Sequence, residues 1–193
     1  MTPTAATVGR TPSRRLPKIG QEIARFAYHS AWREGEVLAL HWEIVDRRAG
    51  EVRLADSKND EPRSLPLEGE LARIIEHRWA ARVVARRIVP WVVHHRGGRP
   101  VAETTLRGWW RDAATRAGYP GVVFHDIRRS GIRNMIRAGV SEPVAMSISG
   151  HRSVGFRRYN ITTTADQRQA LIKTDEYVET RRASTLTKSK GRR

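Results

Sequence analysis

The stretch FHDIRRSGIRNMIRAGVSEPVAMSISGHRSVGFRRY, residues 124–159, decides how the second half of the chain folds. Apolar residues recur at helical spacing in two segments, and each segment ends at a glycine. We therefore predict helices at His125–Ala138 and Ser141–Gly150, joined by a short loop, and a further short helix that carries Tyr159. His125 and Arg128 lie three positions apart, so both lie on one face of the first helix.

The part of the chain before this stretch combines helical periodicity with short strand-like segments. Turn-forming residues at 47–50 and 58–62 separate three such segments. The fold class that follows is α+β, mostly helical, with a small three-stranded antiparallel sheet. The predicted strands are Trp42–Asp46, Glu51–Ala55 and Arg63–Leu67, and the other predicted helices are Leu16–Ser30, Glu34–His41, Glu70–Arg87, Thr104–Arg116 and Ala165–Arg182.

The composition is strongly basic. The 193 residues carry a formal net charge of +16, with a sequence pI near 11.4. This charge favours a polyanionic partner, with nucleic acid ahead of an anionic membrane surface. The 31 arginines and 5 lysines also fit a general bias toward arginine, so the charge alone does not identify the partner. Nucleic acid is therefore the first candidate for the partner, not an established one.

Several classes of protein are excluded by what the sequence lacks. It contains no cysteine, which excludes a disulfide framework and a thiolate zinc site. No apolar run approaches the roughly 18 residues that a membrane-spanning helix needs. The N-terminal residues lack the apolar centre of a signal peptide. We therefore expect no membrane partner and a cytoplasmic location.

Six side chains have the chemistry needed to cut a DNA strand without a metal ion. The phosphodiester gains negative charge during attack, and two arginine guanidinium groups suit that charge best. A nucleophile and a proton donor for the leaving 5′ oxygen are also needed, and a tyrosine nucleophile keeps the bond energy as a phosphotyrosine. The candidate residues are, in chain order, Arg33, Lys58, His125, Arg128, His151 and Tyr159.

The contexts of these residues resemble the catalytic domain of the tyrosine recombinase (phage integrase) family. The segment SAWREGEVLALHW, residues 30–42, looks like the first arginine box of that family, and the turn around Lys58 is similar to its catalytic lysine hairpin. The stretch 124–159 looks like its His-x-x-Arg, Gly-His and nucleophilic tyrosine box. The resemblance covers residues 16 to 180 and implies that the six candidates form one active site.

The resemblance also implies a role for each residue. Arg33 and Arg128 clamp the scissile phosphate, and the two histidines hydrogen-bond to it. Lys58 donates a proton to the leaving 5′ oxygen, and Tyr159 attacks to leave a 3′-phosphotyrosyl bond. The implied activity is site-specific cleavage and rejoining of double-stranded DNA by an integrase or recombinase of a mobile element. It needs no metal ion and no other cofactor.

The same resemblance predicts the domain organisation. We expect a disordered basic tail at residues 1–15, the catalytic domain at 16–182 and a basic C-terminal tail at 183–193. The N-terminal domain with which the family closes a clamp around DNA is expected to be absent. In the family, a final helix often docks on a neighbouring protomer, which implies self-association on DNA as a tetramer.

One interval departs from the family pattern. His151 and Tyr159 lie eight residues apart where the family commonly has about nine, and one residue turns a helical side chain by about 100°. The rival nucleophiles are Tyr28, Tyr119 and Tyr177. Only Tyr159 follows the Gly-His pair at close to the family interval.

Each candidate also has an ordinary structural interpretation, such as a solvated arginine, a hairpin lysine, a capping histidine or a core tyrosine. A His-x-x-Arg motif is expected about once by chance in a chain of this composition. The alternative functions are a truncated, non-catalytic DNA-binding remnant of a recombinase and a type IB topoisomerase-like activity. A metal-dependent carboxylate nuclease is disfavoured because the acidic residues are few. The order and context of the six residues favour the recombinase.

Overall fold

The computed structural model describes residues 12–54, 62–85 and 88–151, together with residues 164, 167, 168 and 171–176. The chain divides into two units, residues 1–159 and residues 160–193. Lys58, Tyr159 and the short helix predicted around that tyrosine lie outside the described residues.

The described part of the first unit is mainly helical and contains one small sheet. Its helices are α1 (Lys18–Ser30), α2 (Glu34–Leu38), α3 (Gly69–Ala85), α4 (Glu103–Arg116), α5 (His125–Arg137) and α6 (Glu142–Ser149). Its strands are β1 (Val45–Asp46), β2 (Glu51–Leu54) and β3 (Arg63–Pro66). The predicted fold class, α+β and mostly helical with a three-stranded antiparallel sheet, is confirmed.

Short helical segments are also described near both ends of the chain. Pro12–Arg15 form a turn of 3-10 helix in which Pro12 is buried, so this part of the predicted tail is ordered. In the second unit, the described residues 164, 167, 168 and 171–176 are helical. They agree with the helix predicted at Ala165–Arg182, which begins one residue after Thr164. The predicted domain boundaries remain a prediction.

The sheet is a meander in the order β1-β2-β3. Val45 pairs with Val52, and Val52 pairs with Leu65, in antiparallel register. Gly50 closes the first hairpin with a φ of +69°, a conformation that glycine adopts without steric cost. Along β2 and β3 the buried positions alternate with more exposed ones, so Val52 and Leu65 face the core.

The helix predicted at Glu34–His41 is shorter than expected, because α2 ends at Leu38. His41 instead forms an isolated antiparallel bridge with Trp91. The two rings also stack, with their centroids 3.8 Å apart. The long-range contact with Trp91 therefore holds His41 outside the helix that local periodicity predicts.

The strand predicted at Trp42–Asp46 is also mostly wrong, because Trp42–Ile44 form a 3-10 turn and only two residues of strand follow. The Trp42 amide donates to the carbonyl of Pro90 at 2.9 Å. Its ring meets Trp79 of α3 edge to face. These contacts tie the segment to other parts of the fold rather than to the sheet.

The main core joins the sheet with α1, α2, α3 and α4, and the start of α5 closes it. Burying each large apolar side chain contributes about 1.5–3 kcal/mol, which makes this core the main source of stability. Its largest fully buried side chains are Phe26, Trp32, Ile23, Leu40, Ile75 and Leu106.

A second, smaller cluster sets the position of α5 and α6. At Gly131, α5 lies so close to α1 that a Cβ there would overlap the Tyr28 carbonyl. Ala31, which follows α1 in the left-handed conformation, is fully buried against Ile132 and Ala145. This cluster fixes the end of α1 against α5 and α6, and thereby the residues that follow α1.

Candidate active site

The C-terminus of α6 is the meeting point of the site. A helix end leaves carbonyl groups without helical partners and carries partial negative charge. Arg128 donates from Nη1 to the Ser149 carbonyl at 2.9 Å, and Arg33 donates from Nη2 to the Gly150 carbonyl at 3.5 Å. Arg33 and Gly150 lie 117 positions apart in the chain. The fold therefore brings the two guanidinium groups onto consecutive carbonyls beside His151.

Two further features fix this helix end. The buried Trp32 donates from Nε1 to the Ile148 carbonyl at 2.9 Å. Gly150 adopts a φ of +68°, which ends α6 in the left-handed conformation that favours glycine. His151 follows directly, so its ring is placed by the helix end.

Arg128 lies in the first turn of α5 and is only 3% exposed. Besides Ser149, its Nη1 donates to the Ala31 carbonyl at 2.7 Å, while its Nη2 lies 2.8 Å from Nδ1 of His151. These contacts orient the guanidinium rigidly.

His151 is neutral at physiological pH. Its partial burial, which is the largest cause, and the charge of Arg128 lower its pKa. With the smaller effects of Arg33, His125 and Arg63 included, the pKa is about 3. Both ring nitrogens lie within 3.3 Å of the Arg128 guanidinium. Because a guanidinium group only donates hydrogen bonds, the ring nitrogen that accepts from it carries the lone pair of the neutral ring. The hydroxyl of Ser149 lies 2.9 Å from Nδ1 and helps to orient the ring.

Arg33 is the N-cap residue of α2, and its position comes from the local sequence. Its amide donates to Oε2 of Glu36 at 2.7 Å, and its Nη1 donates to Oε1 of the same carboxylate at 3.0 Å. The Arg33 side chain is 44% exposed, whereas that of Glu36 is 12% exposed. Arg33 therefore presents an accessible cation that is anchored at one edge.

His125 is the first residue of α5 and is exposed. Partial desolvation and the charge of Arg128 lower its pKa below the usual histidine value. Together with Arg33 and Arg107 it lines a groove of about 850 Å³. Its ring is accessible from this groove.

Arg63 on β3 is a member of this neighbourhood that the sequence analysis missed. Its Nη2 pairs with Oε1 of Glu36 at 2.7 Å, and its side chain is 11% exposed. A Cβ on Gly150 would overlap its guanidinium group. The available signal was the strand alternation, which places Arg63 on the same inward face as Leu65. A charged residue at an inward position of a strand indicates a buried ion pair.

The structure brings Arg33, His125, Arg128 and His151 into one neighbourhood, whereas Lys58 and Tyr159 lie outside the described residues. Among the other tyrosines, Tyr28 accepts a hydrogen bond from Asn134 on α5, and burial raises the pKa of its phenol. A raised pKa makes a phenol a poorer nucleophile at neutral pH.

The described residues contain no group of three or more histidine, aspartate or glutamate side chains that could hold a metal ion. In the same part of the chain, no helix combines the length and the apolar character needed to cross a membrane.

One curated relative is the shufflon-specific DNA recombinase of Escherichia coli. It is 30% identical to this chain over 142 residues, which are 71% of this chain and 33% of the relative. The chain therefore spans about a third of the length of this relative.

Several solved structures share the fold. A Tn1549 transposon integrase in complex with transposon right end DNA matches 90% of this chain and 65% of its own, with a TM-score of 0.68 and 15% identity. A lambda integrase tetramer bound to a Holliday junction matches 83% of this chain and 48% of its own, with a TM-score of 0.68 and 15% identity. XerA recombinase matches 82% of this chain and 64% of its own, with a TM-score of 0.62 and 17% identity.

The family model described as the phage integrase family matches residues 13–183. This match covers most of the chain and spans all the predicted site residues. The family identified from the residue contexts is confirmed, and the chain belongs to the phage integrase family.

Proposed function

We propose that this chain cleaves and rejoins double-stranded DNA at specific sites through a 3′-phosphotyrosyl intermediate. One observation carries the proposal: Arg33 and Arg128, from distant parts of the chain, donate to the consecutive carbonyls of Ser149 and Gly150, beside His151. Two guanidinium groups and a neutral imidazole at one point form a site suited to a phosphodiester.

The electrostatics of the site support this assignment. The transition state of phosphoryl transfer carries extra negative charge on its nonbridging oxygens, and preorganised cations stabilise it most. Arg128 is held by backbone carbonyls and Arg33 by Glu36, so neither guanidinium has to be ordered during the reaction. The lowered pKa values of His125 and His151 favour neutral rings, which can each donate one hydrogen bond and accept another.

The proposed reaction conserves the phosphodiester energy. The Oη of Tyr159 attacks phosphorus and loses its proton to a neutral histidine. The bond from phosphorus to the 5′ oxygen breaks, and Lys58 gives that oxygen its proton. The reverse attack by a 5′ hydroxyl rejoins the strand and releases the tyrosine, so the reaction needs no ATP. These roles for Lys58 and Tyr159 rest on the family motifs.

The proposed partners are DNA and further copies of this chain. The net charge of +16 favours a polyanion. The similar lambda and Tn1549 integrases were solved bound to DNA, the former as a tetramer on a Holliday junction. We propose the same kind of assembly here, acting in the cytoplasm without a metal ion.

Covalent attachment to DNA tests this function directly. The full chain is incubated, in EDTA, with nicked duplexes tiled across the DNA that flanks its own gene. A nick next to the cleavage site lets the short 5′-hydroxyl strand diffuse away, which traps the intermediate. We expect an SDS-resistant protein–DNA adduct that is lost in Tyr159→Phe and retained in Tyr119→Phe, a tyrosine in an exposed turn.

Other outcomes point to other functions. Salt-sensitive DNA binding with no adduct on any duplex would contradict the proposal and favour a non-catalytic DNA-binding protein. Relaxation of supercoiled plasmid without sequence preference would favour a topoisomerase-like activity.

A further inference from the structure

Arg63 is a buried cation that the proposed chemistry does not use. Its side chain is 11% exposed, and its guanidinium carbon lies 5.3 Å from the centroid of the Trp32 ring. Its Nε is buried and has no hydrogen-bond partner among the described residues. Burying such a group costs stability. A charge retained at this cost indicates a role beyond packing.

The guanidinium of Arg63 occupies the space next to Gly150. A side chain at position 150 would overlap it, and the φ of +68° at this residue also favours glycine. Gly150 connects the Ser149 carbonyl, which Arg128 caps, to the ring of His151. Arg63 therefore packs against the Gly150 peptide, which sets the backbone position of His151.

Arg63 also shares a carboxylate with the first arginine of the clamp. Oε1 of Glu36 lies 2.7 Å from Nη2 of Arg63 and 3.0 Å from Nη1 of Arg33. The more buried of the two arginines fixes the carboxylate, and the carboxylate orients the more exposed one. Replacing Arg63 would leave Glu36 free to rotate toward Arg33 or toward solvent.

We propose that Arg63 is a positioning residue, which holds Glu36 and Gly150 and through them sets the Arg33 guanidinium and the His151 ring for the scissile phosphate. This inference rests on the proposed function. We expect no contact between Arg63 and the phosphate, because its side chain is 11% exposed and its guanidinium packs against Gly150. It is expected to act on the rate of strand cleavage rather than on DNA affinity.

The first test compares Arg63→Met and Arg63→Lys with Arg53→Met. Arg53 lies on the adjacent strand and pairs with Ser64, so its side chain points to the other face, where it is 64% exposed. Single-turnover adduct formation at saturating protein should fall about 100-fold in Arg63→Met, as expected for misplaced groups. DNA affinity should stay within about twofold. Arg63→Lys keeps the charge next to Glu36 and should recover part of the lost rate.

The second test asks whether Arg63 acts through Glu36. If it does, Glu36→Gln and Arg63→Met together should slow adduct formation no more than the slower single variant. Independent roles would instead multiply the two losses. Multiplied losses would overturn the proposed route through the carboxylate.

The third test does not depend on cleavage. The charged and titratable groups that face His151 are Arg128, Arg33, His125 and Arg63. Removing one of these cations should make the His151 ring protonate at higher pH, because less positive charge opposes the proton. NMR of the ring carbon protons, followed from pH 7 down to the onset of acid unfolding, should show this in Arg63→Met and not in Arg53→Met.

These readouts separate the possible failures. If the wild-type chain forms no adduct, the proposed function fails, and the NMR titration still tests the placement of Arg63. A merely structural role predicts lower melting temperatures for both Arg63 variants and no recovery of the cleavage rate in Arg63→Lys. That combination would overturn the inference.

Discussion

The two arginines of the proposed clamp are held in opposite ways. Arg33 is anchored by a carboxylate three residues away and is 44% exposed. Arg128 is 3% exposed and donates to carbonyls that lie 97 and 21 positions away, those of Ala31 and Ser149. The first is positioned by local sequence and the second by the tertiary fold.

This difference separates catalysis from stability. Removing the buried guanidinium leaves two carbonyls without donors and a hole between α1, α5 and α6. Removing the exposed one leaves the α2 cap in place, because the amide of Arg33 still donates to Glu36. Both changes should abolish clamping, but only one should damage the fold.

Arg128→Met should have the largest effect. It removes donors to the Ala31 and Ser149 carbonyls in a buried site, and loss of one partner of such a network costs about 3 kcal/mol. Urea denaturation followed by circular dichroism measures the loss. A change below about 1 kcal/mol would show that Arg128 is not a structural part of the α1–α6 contact.

Gly131→Ala should weaken the same region without touching a charge. The added Cβ overlaps the Tyr28 carbonyl, so α1 and α5 must move apart, at a cost of about 2 kcal/mol. The matched control is Gly108→Ala in α4, where a Cβ meets nothing within 4 Å. That change should stabilise the chain by up to about 1 kcal/mol, because alanine favours helices. Equal effects of the two substitutions would contradict the close approach at Gly131.

His151→Gln should change how stability depends on pH. The pKa of His151 is about 3 in the folded chain and about 6.5 when unfolded, so between these values the unfolded state binds more protons. Stability from this residue is therefore lost as pH falls from 6.5 toward 3. The glutamine variant should lose less stability between pH 7 and pH 5, measured as the shift in urea midpoint. An unchanged slope would show that the ring does not stay neutral on folding.

Arg33→Met should have the smallest effect on stability, below about 0.5 kcal/mol, because exposed ion pairs contribute little. The same variant should slow adduct formation at least about 100-fold, since it removes one of the two phosphate cations. Parallel unfolding and single-turnover assays measure both. A large loss of stability with near-normal cleavage would reverse the contrast between the two arginines.

The sequence predicted best those elements that local chemistry controls. Glycines that end helices and the short turns between strands gave α5, α6, β2 and β3 nearly to the residue. The predictions were wrong where a distant contact prevails. His41 pairs with Trp91 instead of continuing the predicted helix, and Trp42 donates to Pro90 instead of joining the predicted strand.

The candidate site divides along the same line. Its family motifs named Arg33, His125, Arg128 and His151, which the fold places together, although their catalytic roles remain a prediction. The motifs gave no hint that Arg128 is buried or that Arg63 shares Glu36 with Arg33. Those facts depend on pairings across the chain, which no local pattern encodes.

Mapping the residue that becomes joined to DNA shows whether a tyrosine of this chain is the nucleophile. The adduct formed in EDTA is digested with protease and nuclease, and the peptide that carries a nucleotide 3′-phosphate is sequenced by mass spectrometry. We expect a modified peptide containing Tyr159. A nucleotide on Tyr28, Tyr119 or Tyr177, or no modified peptide from a chain that binds the DNA, would contradict this expectation.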